Sequence, residues 1–139
     1  MKLRGVDHVS INVKDMAASE AFYGGVLGMR RLQTVPMEEG LFSITYFQIP
    51  GGGRLELFDY GGKNHDAPHG ESDTGLRHLA FAMDDVAGAE RTLREKGVKI
   101  VLPTTDIPSL GARVLLFLDP NGVTLEFCQE IKRTGKDDR

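Results

Sequence analysis

Four side chains in this sequence have the types and spacing to do chemistry together: His8, Glu56, His78 and Glu126. Each His precedes its Glu by 48 positions, and the second pair repeats the first at an offset of 70. A lone strand histidine facing water needs no function. A His–Glu pair kept in both copies of a repeat is harder to dismiss. Were the four to converge, two carboxylates in a partly dry cleft would repel each other, and one would take up a proton. A divalent cation removes that penalty. Imidazole and carboxylate donors without thiolate suit Ni²⁺, Co²⁺, Mn²⁺, Fe²⁺ or Zn²⁺, and four protein ligands leave about two positions open for water or substrate. Open positions point to catalysis.

The elements that must position these side chains are also written twice. GVDHVSINVKDMA at Gly5 and GLRHLAFAMDDVA at Gly75 share Gly, His, Asp and Ala at matching places. Phe47, Pro50, Gly52, Leu55 and Glu56 meet Phe117, Pro120, Gly122, Leu125 and Glu126 at the same offset, so the halves read as copies of one module. In the first copy, alternation predicts a strand over 5–13 with Val9, Ile11 and Val13 on one face. Asp15 suits the cap of a helix over MAASEAFYGGVL that stops at Gly28, with Phe22 and Tyr23 on its core face. Strands at about 29–37, 41–49 and 53–59 follow, the last two joined by a turn at 50–53. The second copy predicts a strand over 75–83 and a helix over 85–96 closed by Gly97. Strands near 98–103, 112–119 and 122–128 complete it, with DPNG as the last turn.

The expected fold is α+β: two tandem βαβββ modules, 5–58 and 75–130, forming a cupped, largely antiparallel sheet with the helices outside. Residues 59–74, rich in Gly, Asp and Pro, serve as linker, and 131–139 as a disordered tail within one 139-residue domain. A module of this size buries too little surface alone, so two must pack, within one chain or across a dimer. The period of two sends His8, Glu56, His78 and Glu126 to the face away from the helices.

Composition narrows the partners. The net charge of -3 gives no basic field for nucleic acid or an anionic membrane. No apolar stretch approaches a bilayer span, and the N-terminal residues lack a signal-peptide core. Cys128 is the single cysteine, which rules out a disulfide or a thiolate zinc cluster within one chain. A cytoplasmic protein acting on a small molecule is expected.

These tandem modules, with AFYGGVLGMRRL after the first strand, GLRHLAF opening the second copy and DPNGVTLEF closing it, resemble the vicinal oxygen chelate superfamily. That superfamily includes glyoxalase I, methylmalonyl-CoA epimerase, extradiol dioxygenases and metal-free bleomycin-binding proteins. The set His8, Glu56, His78 and Glu126 is most similar to the ligands of short-form glyoxalase I. The resemblance implies one Ni²⁺ or Co²⁺ ion per site, with Zn²⁺, Mn²⁺ or Fe²⁺ as substitutes, holding both oxygens of a hemithioacetal and stabilising an ene-diolate. It implies a ligating glutamate, first Glu126 and then Glu56, that detaches to move a proton between adjacent carbons. It also implies a homodimer.

The resemblance departs at two places. Where glyoxalase I carries an Arg four residues after its first ligand and an Asn four residues after its second, this chain has Asn12 and Tyr60. Glutathione would lose a bidentate carboxylate partner. Arg54 and Arg113 are candidates to replace it among the substrate contacts. The expected activity is therefore a lyase or isomerase of glyoxalase type, moving a proton beside a carbonyl without assured use of glutathione. A ring-cleaving dioxygenase would need His8, His78 and Glu126 on Fe²⁺, with Glu56 an extra anion. An epimerase often has His-Pro-Lys where this chain has Asp119-Pro120-Asn121. A non-catalytic drug-binding protein typically has lost its ligands. His65 and His69 flank Pro68 and read as loop residues, Cys128 reads as a small buried hydrophobe, and Glu38 and Glu39 read as solvated turn carboxylates.

Overall fold

The computed structural model describes residues 1–66, 70 and 72–132. It divides into two compact units, Met1–Pro68 and His69–Arg139, each carrying one four-stranded mixed sheet and its helical segment.

In the first unit, β1 (His8–Val13) leads into α1 (Met16–Glu20) and a wider π-helical segment, Ala21–Val26. β2 (Arg30–Met37), β3 (Phe42–Gln48) and β4 (Arg54–Asp59) follow. The sheet order is β1-β4-β3-β2, with β1 parallel to β4 and the other neighbours antiparallel. β4 follows the Ile49–Gly53 turn, where Gly53 has φ +80° and an added Cβ would lie 3.3 Å from the Asp7 carbonyl oxygen. Arg54 N–H then donates to that same carbonyl (3.1 Å), which fixes the register that sets Ser10 beside Glu56. Only glycine serves at such a close approach.

The helix expected over 16–27 is α-helical for only its first five residues. Asp15 caps it by accepting from Ala18 N–H at 3.1 Å. The continuation widens at Gly24-Gly25, where Leu27 N–H reaches Phe22 O and Met29 N–H reaches Tyr23 O. A Cβ on Gly24 would stand 3.2 Å from the Phe47 ring, so the wide turn seats this backbone close to the sheet. Tyr23, Phe47, Leu55 and Leu57 are buried there. Each such side chain contributes about 1.5–3 kcal/mol on leaving water.

The second unit repeats the plan: β5 (Leu79–Ala82), α2 (Val86–Glu95), β6 (Ile100–Ile107), β7 (Ala112–Leu118) and β8 (Thr124–Glu130), in the order β5-β8-β7-β6. Asp85 caps α2 through Gly88 N–H (2.9 Å), and Gln129 Oε1 accepts from Val86 N–H (3.1 Å), so the helix sits on the face of Leu125, Phe127 and Gln129. Asp119 ties the last turn by accepting from the N–H groups of Asn121 and Val123, each at 2.8 Å. β6 runs four residues past its expected end because Pro103 sits on an edge strand. There the missing N–H is absorbed as an irregularity in pairing between Leu102 and Thr105. The α+β class and the βαβββ order match the sequence reading, and β4 ends at Asp59, where the strand was expected to end. Part of the 59–74 linker and residues 133–139 of the tail lie outside the described residues.

Candidate metal centre

The chemistry-bearing side chains gather as two pairs, one in each unit. In the first, His8 Nε2 lies 3.2 Å from Glu56 Oε1. In the second, His78 Nε2 lies 2.7 Å from Glu126 Oε2. Both glutamates occupy the sheet face opposite the helix, as parity requires: Leu55 and Leu57 are fully buried on one side of Glu56, and Leu125 and Phe127 flank Glu126 likewise. Among the described residues, no group of three or more His, Cys, Asp or Glu side chains comes close enough to hold a metal.

The first pair is built with care. Glu56 is 6% exposed on a face that parity alone would leave to water. Ser10 Oγ donates to Glu56 Oε1 at 2.6 Å, and the Tyr46 hydroxyl donates to the same carboxylate. Burial pushes the Glu56 carboxyl up, but Ser10, Tyr46, His8 and Arg54 together bring it below its ordinary value. The Tyr46 phenol is held above its usual range, first by that hydrogen bond and then by burial. Arg54 lies over the Tyr46 ring at 4.9 Å and reaches Asp7 at 3.5 Å. Asp7 Oδ1 accepts from His8 Nδ1 at 2.7 Å. With Nδ1 engaged in this way, Nε2 is the ring nitrogen that faces the Glu56 carboxylate.

In each pair an imidazole nitrogen and a carboxylate oxygen face each other at a distance that suits either a proton or a cation between them. Two donors each about 2.1 Å from one ion at a right angle stand about 3 Å apart, and 3.2 and 2.7 Å bracket that spacing. In the second unit, His78 Nδ1 is buried with no hydrogen-bond partner. Each pair thus offers one nitrogen and one oxygen donor of the types a divalent ion takes, two donors within its own unit.

The other expected contacts scatter. Arg54 is beside the first pair, as described. Asn12 is exposed on β1, in register with Phe58 on the same sheet face as Glu56. Tyr60 stacks on Phe42 (5.1 Å) and Phe58 (6.3 Å). Arg113 lies in register with Gln129, on the helix side of its sheet and away from Glu126, where it makes a two-point ion pair with Asp106 at 2.6 and 3.0 Å. His65 is exposed, and His69 lies outside the described residues.

Cys128 is not a core residue. It lines a cavity of about 620 Å³ in the second unit with Ala80, Ala82, Ala112, Leu110 and Ile131. Burial, then the Glu126 carboxylate, pushes its thiol up, so it lines that wall as a thiol. In the first unit the repeat places Phe42, Phe58 and Tyr60 where the second has Ala112, Cys128 and Glu130. Three stacked rings occupy one sheet face; small side chains leave the other hollow.

Ser10, Tyr46 and Asp7 escaped the sequence reading. Their signal was present, because Ser10 and Tyr46 are places where the repeat breaks, to Ala80 and Leu116.

Paired βαβββ units with a His–Glu pair on each helix-free sheet face define a recognisable class of protein. Residues 5–127 match the Glyoxalase/Bleomycin resistance protein/Dioxygenase superfamily, and the chain belongs to it. It is 32% identical over 131 residues to the uncharacterized protein YwkD of Bacillus subtilis, covering 94% of this chain and 100% of that one. It is 30% identical over 146 residues to a lactoylglutathione lyase of Pseudomonas aeruginosa, covering 88% of this chain and 81% of that enzyme. Among solved structures, a glyoxalase family protein from Enterococcus faecalis superposes with a TM-score of 0.79 at 27% identity, covering 92% of this chain and 99% of the other.

Proposed function

We propose that this protein is a metal-dependent enzyme that transfers a proton between carbons next to a carbonyl in a small organic substrate. The observation that carries the reading is the His–Glu pair repeated in both units, with donor spacings suited to a shared ion. His8, Glu56, His78 and Glu126 would hold one divalent ion, Ni²⁺ or Co²⁺ by preference, each complete set drawing one pair from each module. The pairs come from one chain or from two copies in a homodimer. The ion would supply Lewis-acid polarisation of the substrate's oxygens.

The residues do the rest. Glu126, with His78 at 2.7 Å and Ala80 beside it in the sheet, takes the proton from the carbon adjacent to the carbonyl. The electron pair of the broken C–H bond moves toward the carbonyl. Glu126 then returns the proton to the former carbonyl carbon while the hydroxyl proton passes to the former carbonyl oxygen, so no further reactant is consumed. The open hollow lined by Ala80, Ala82, Ala112, Cys128 and Glu130 lies one step along the same sheet face and receives the substrate's carbon body. The lactoylglutathione lyase relative supports this reaction type. Asn12 and Tyr60 give no cationic partner for a glutathione carboxylate, which favours a smaller thiol adduct or a plain hydroxycarbonyl.

The test is Glu126→Gln, assayed by loss of deuterium to solvent from C-deuterated hemithioacetals. Exchange should fall at least 100-fold while part of the metal is retained. Undiminished exchange would remove Glu126 from the role of base.

A further inference from the structure

The repeat is faithful at the ligands and broken around them. In the sheet, Glu56 stands in register between Ser10 on β1 and Tyr46 on β3. Glu126 stands in the same place between Ala80 on β5 and Leu116 on β7. Both neighbours of Glu56 are hydroxyls that donate to its carboxylate, and Ser10 does so at 2.6 Å. Both sheet neighbours of Glu126 are hydrocarbon. The histidines differ as well. His8 Nδ1 is held by Asp7, whereas His78 Nδ1 is buried without a partner, and the repeat puts Arg77 in Asp7's place.

We infer that Ser10 and Tyr46 are positioning residues that hold the Glu56 carboxylate in place for a cation at the His8–Glu56 pair. This rests on the metal reading above and extends it to residues outside the ligand set. Two hydroxyls aimed at one carboxylate hold its rotamer before a cation arrives, so binding orders less and holds longer. Glu126, between Ala80 and Leu116, has no hydroxyl donor from its sheet neighbours; its partners are His78 at 2.7 Å and the Cys128 thiol. Tyr46 is itself braced by the Arg54 guanidinium over its ring, so the clamp does not hinge on one side chain.

The experiment transplants the clamp. Ser10→Ala with Tyr46→Leu gives the first module the second's neighbours; Ala80→Ser with Leu116→Tyr does the reverse. Tyr46→Phe and Ser10→Thr serve as milder controls, the first deleting one oxygen and the second keeping the hydroxyl. Each folded variant is titrated with Co²⁺ against a chromophoric chelator, and the visible Co²⁺ spectrum is recorded. The Ser10→Ala/Tyr46→Leu protein should bind Co²⁺ about 10–100-fold more weakly with an altered spectrum. Tyr46→Phe should fall between it and the parent, and Ser10→Thr should stay near the parent. The reverse swap should bind at least as tightly as the parent. Parent-like affinity and spectrum in Ser10→Ala/Tyr46→Leu and Tyr46→Phe would overturn the inference while leaving the metal site standing. A parent protein that takes up no Co²⁺ would overturn the metal reading, and the inference with it.

Discussion

Replacing Asp7 with Ala removes the acceptor that orients the His8 ring. Carboxylates behind a ligating histidine commonly change metal affinity by about 10–100-fold. The position of this one in that range follows from its exposure. The Asp7 side chain is 78% exposed and that of His8 43% exposed, so water can take over much of the hydrogen bond when the carboxylate is gone. The lower end applies: about tenfold weaker Co²⁺ binding. Asp7→Asn keeps an acceptor oxygen at the same reach and loses only the charge, so it should cost about threefold. Arg54 also loses a partner in both variants, at the long distance of 3.5 Å, and contributes little to either loss. Competition titration at one pH reads all three proteins. If Asp7→Ala binds Co²⁺ within twofold of the parent, the geometry around His8 does not depend on Asp7, and the tautomer argument fails.

Ala112→Phe restores the first module's Phe42 in the second and fills the hollow beside Glu126. The parent should bind benzohydroxamate about tenfold or more tightly over acetohydroxamate, from burial of the ring, and Ala112→Phe should erase that preference while still binding acetohydroxamate. An unchanged preference would move the substrate's carbon body elsewhere. Glu90 offers a test of the scaffold. Thr104, whose backbone N–H donates at 2.8 Å, and then Arg94 hold its carboxyl at about 2, below the ordinary 4.5. Because the folded value is depressed, its contribution is present above about 4.5 and is lost as pH falls toward 2. Glu90→Gln should thus be less stable than the parent in chemical denaturation at neutral pH, and the gap should close by pH 2; a gap independent of pH would contradict the assignment.

Much of the fold was legible because the repeat wrote it twice. Period-two alternation placed His8 and Glu56 on the helix-free face, and Asp15 marked a helix start that the structure keeps. The π-helical stretch was not legible, since apolar spacing at Phe22 and Tyr23 suits an α-helix equally, and only contact of Gly24 with Phe47 selects the wider turn. The length of β6 was hidden by Pro103, which reads as a strand end unless the strand lies at an edge. Each His–Glu pair was visible in the spacing, but its neighbours were not. Searching the modules for agreement found the two His–Glu pairs; Ser10, Tyr46 and Asp7 lie where the modules disagree. The surroundings of Arg113 and Cys128 did not follow from parity, for different reasons. Arg113 lies on β7, whose phase the sequence left open, and Cys128 shares Glu126's face beside small side chains that leave a cavity instead of a packed wall.

The central claim is that two His–Glu pairs, one from each module, together bind one ion. Metal content per chain, measured by elemental analysis on protein purified without chelator and after titration with Ni²⁺ or Co²⁺, tests it most directly. The expected result is about one ion per chain, dropping to near zero in both His8→Ala and His78→Ala, because neither pair suffices alone. About two ions per chain, each lost independently with one histidine, would contradict the shared site. No uptake at all would contradict the metal reading itself.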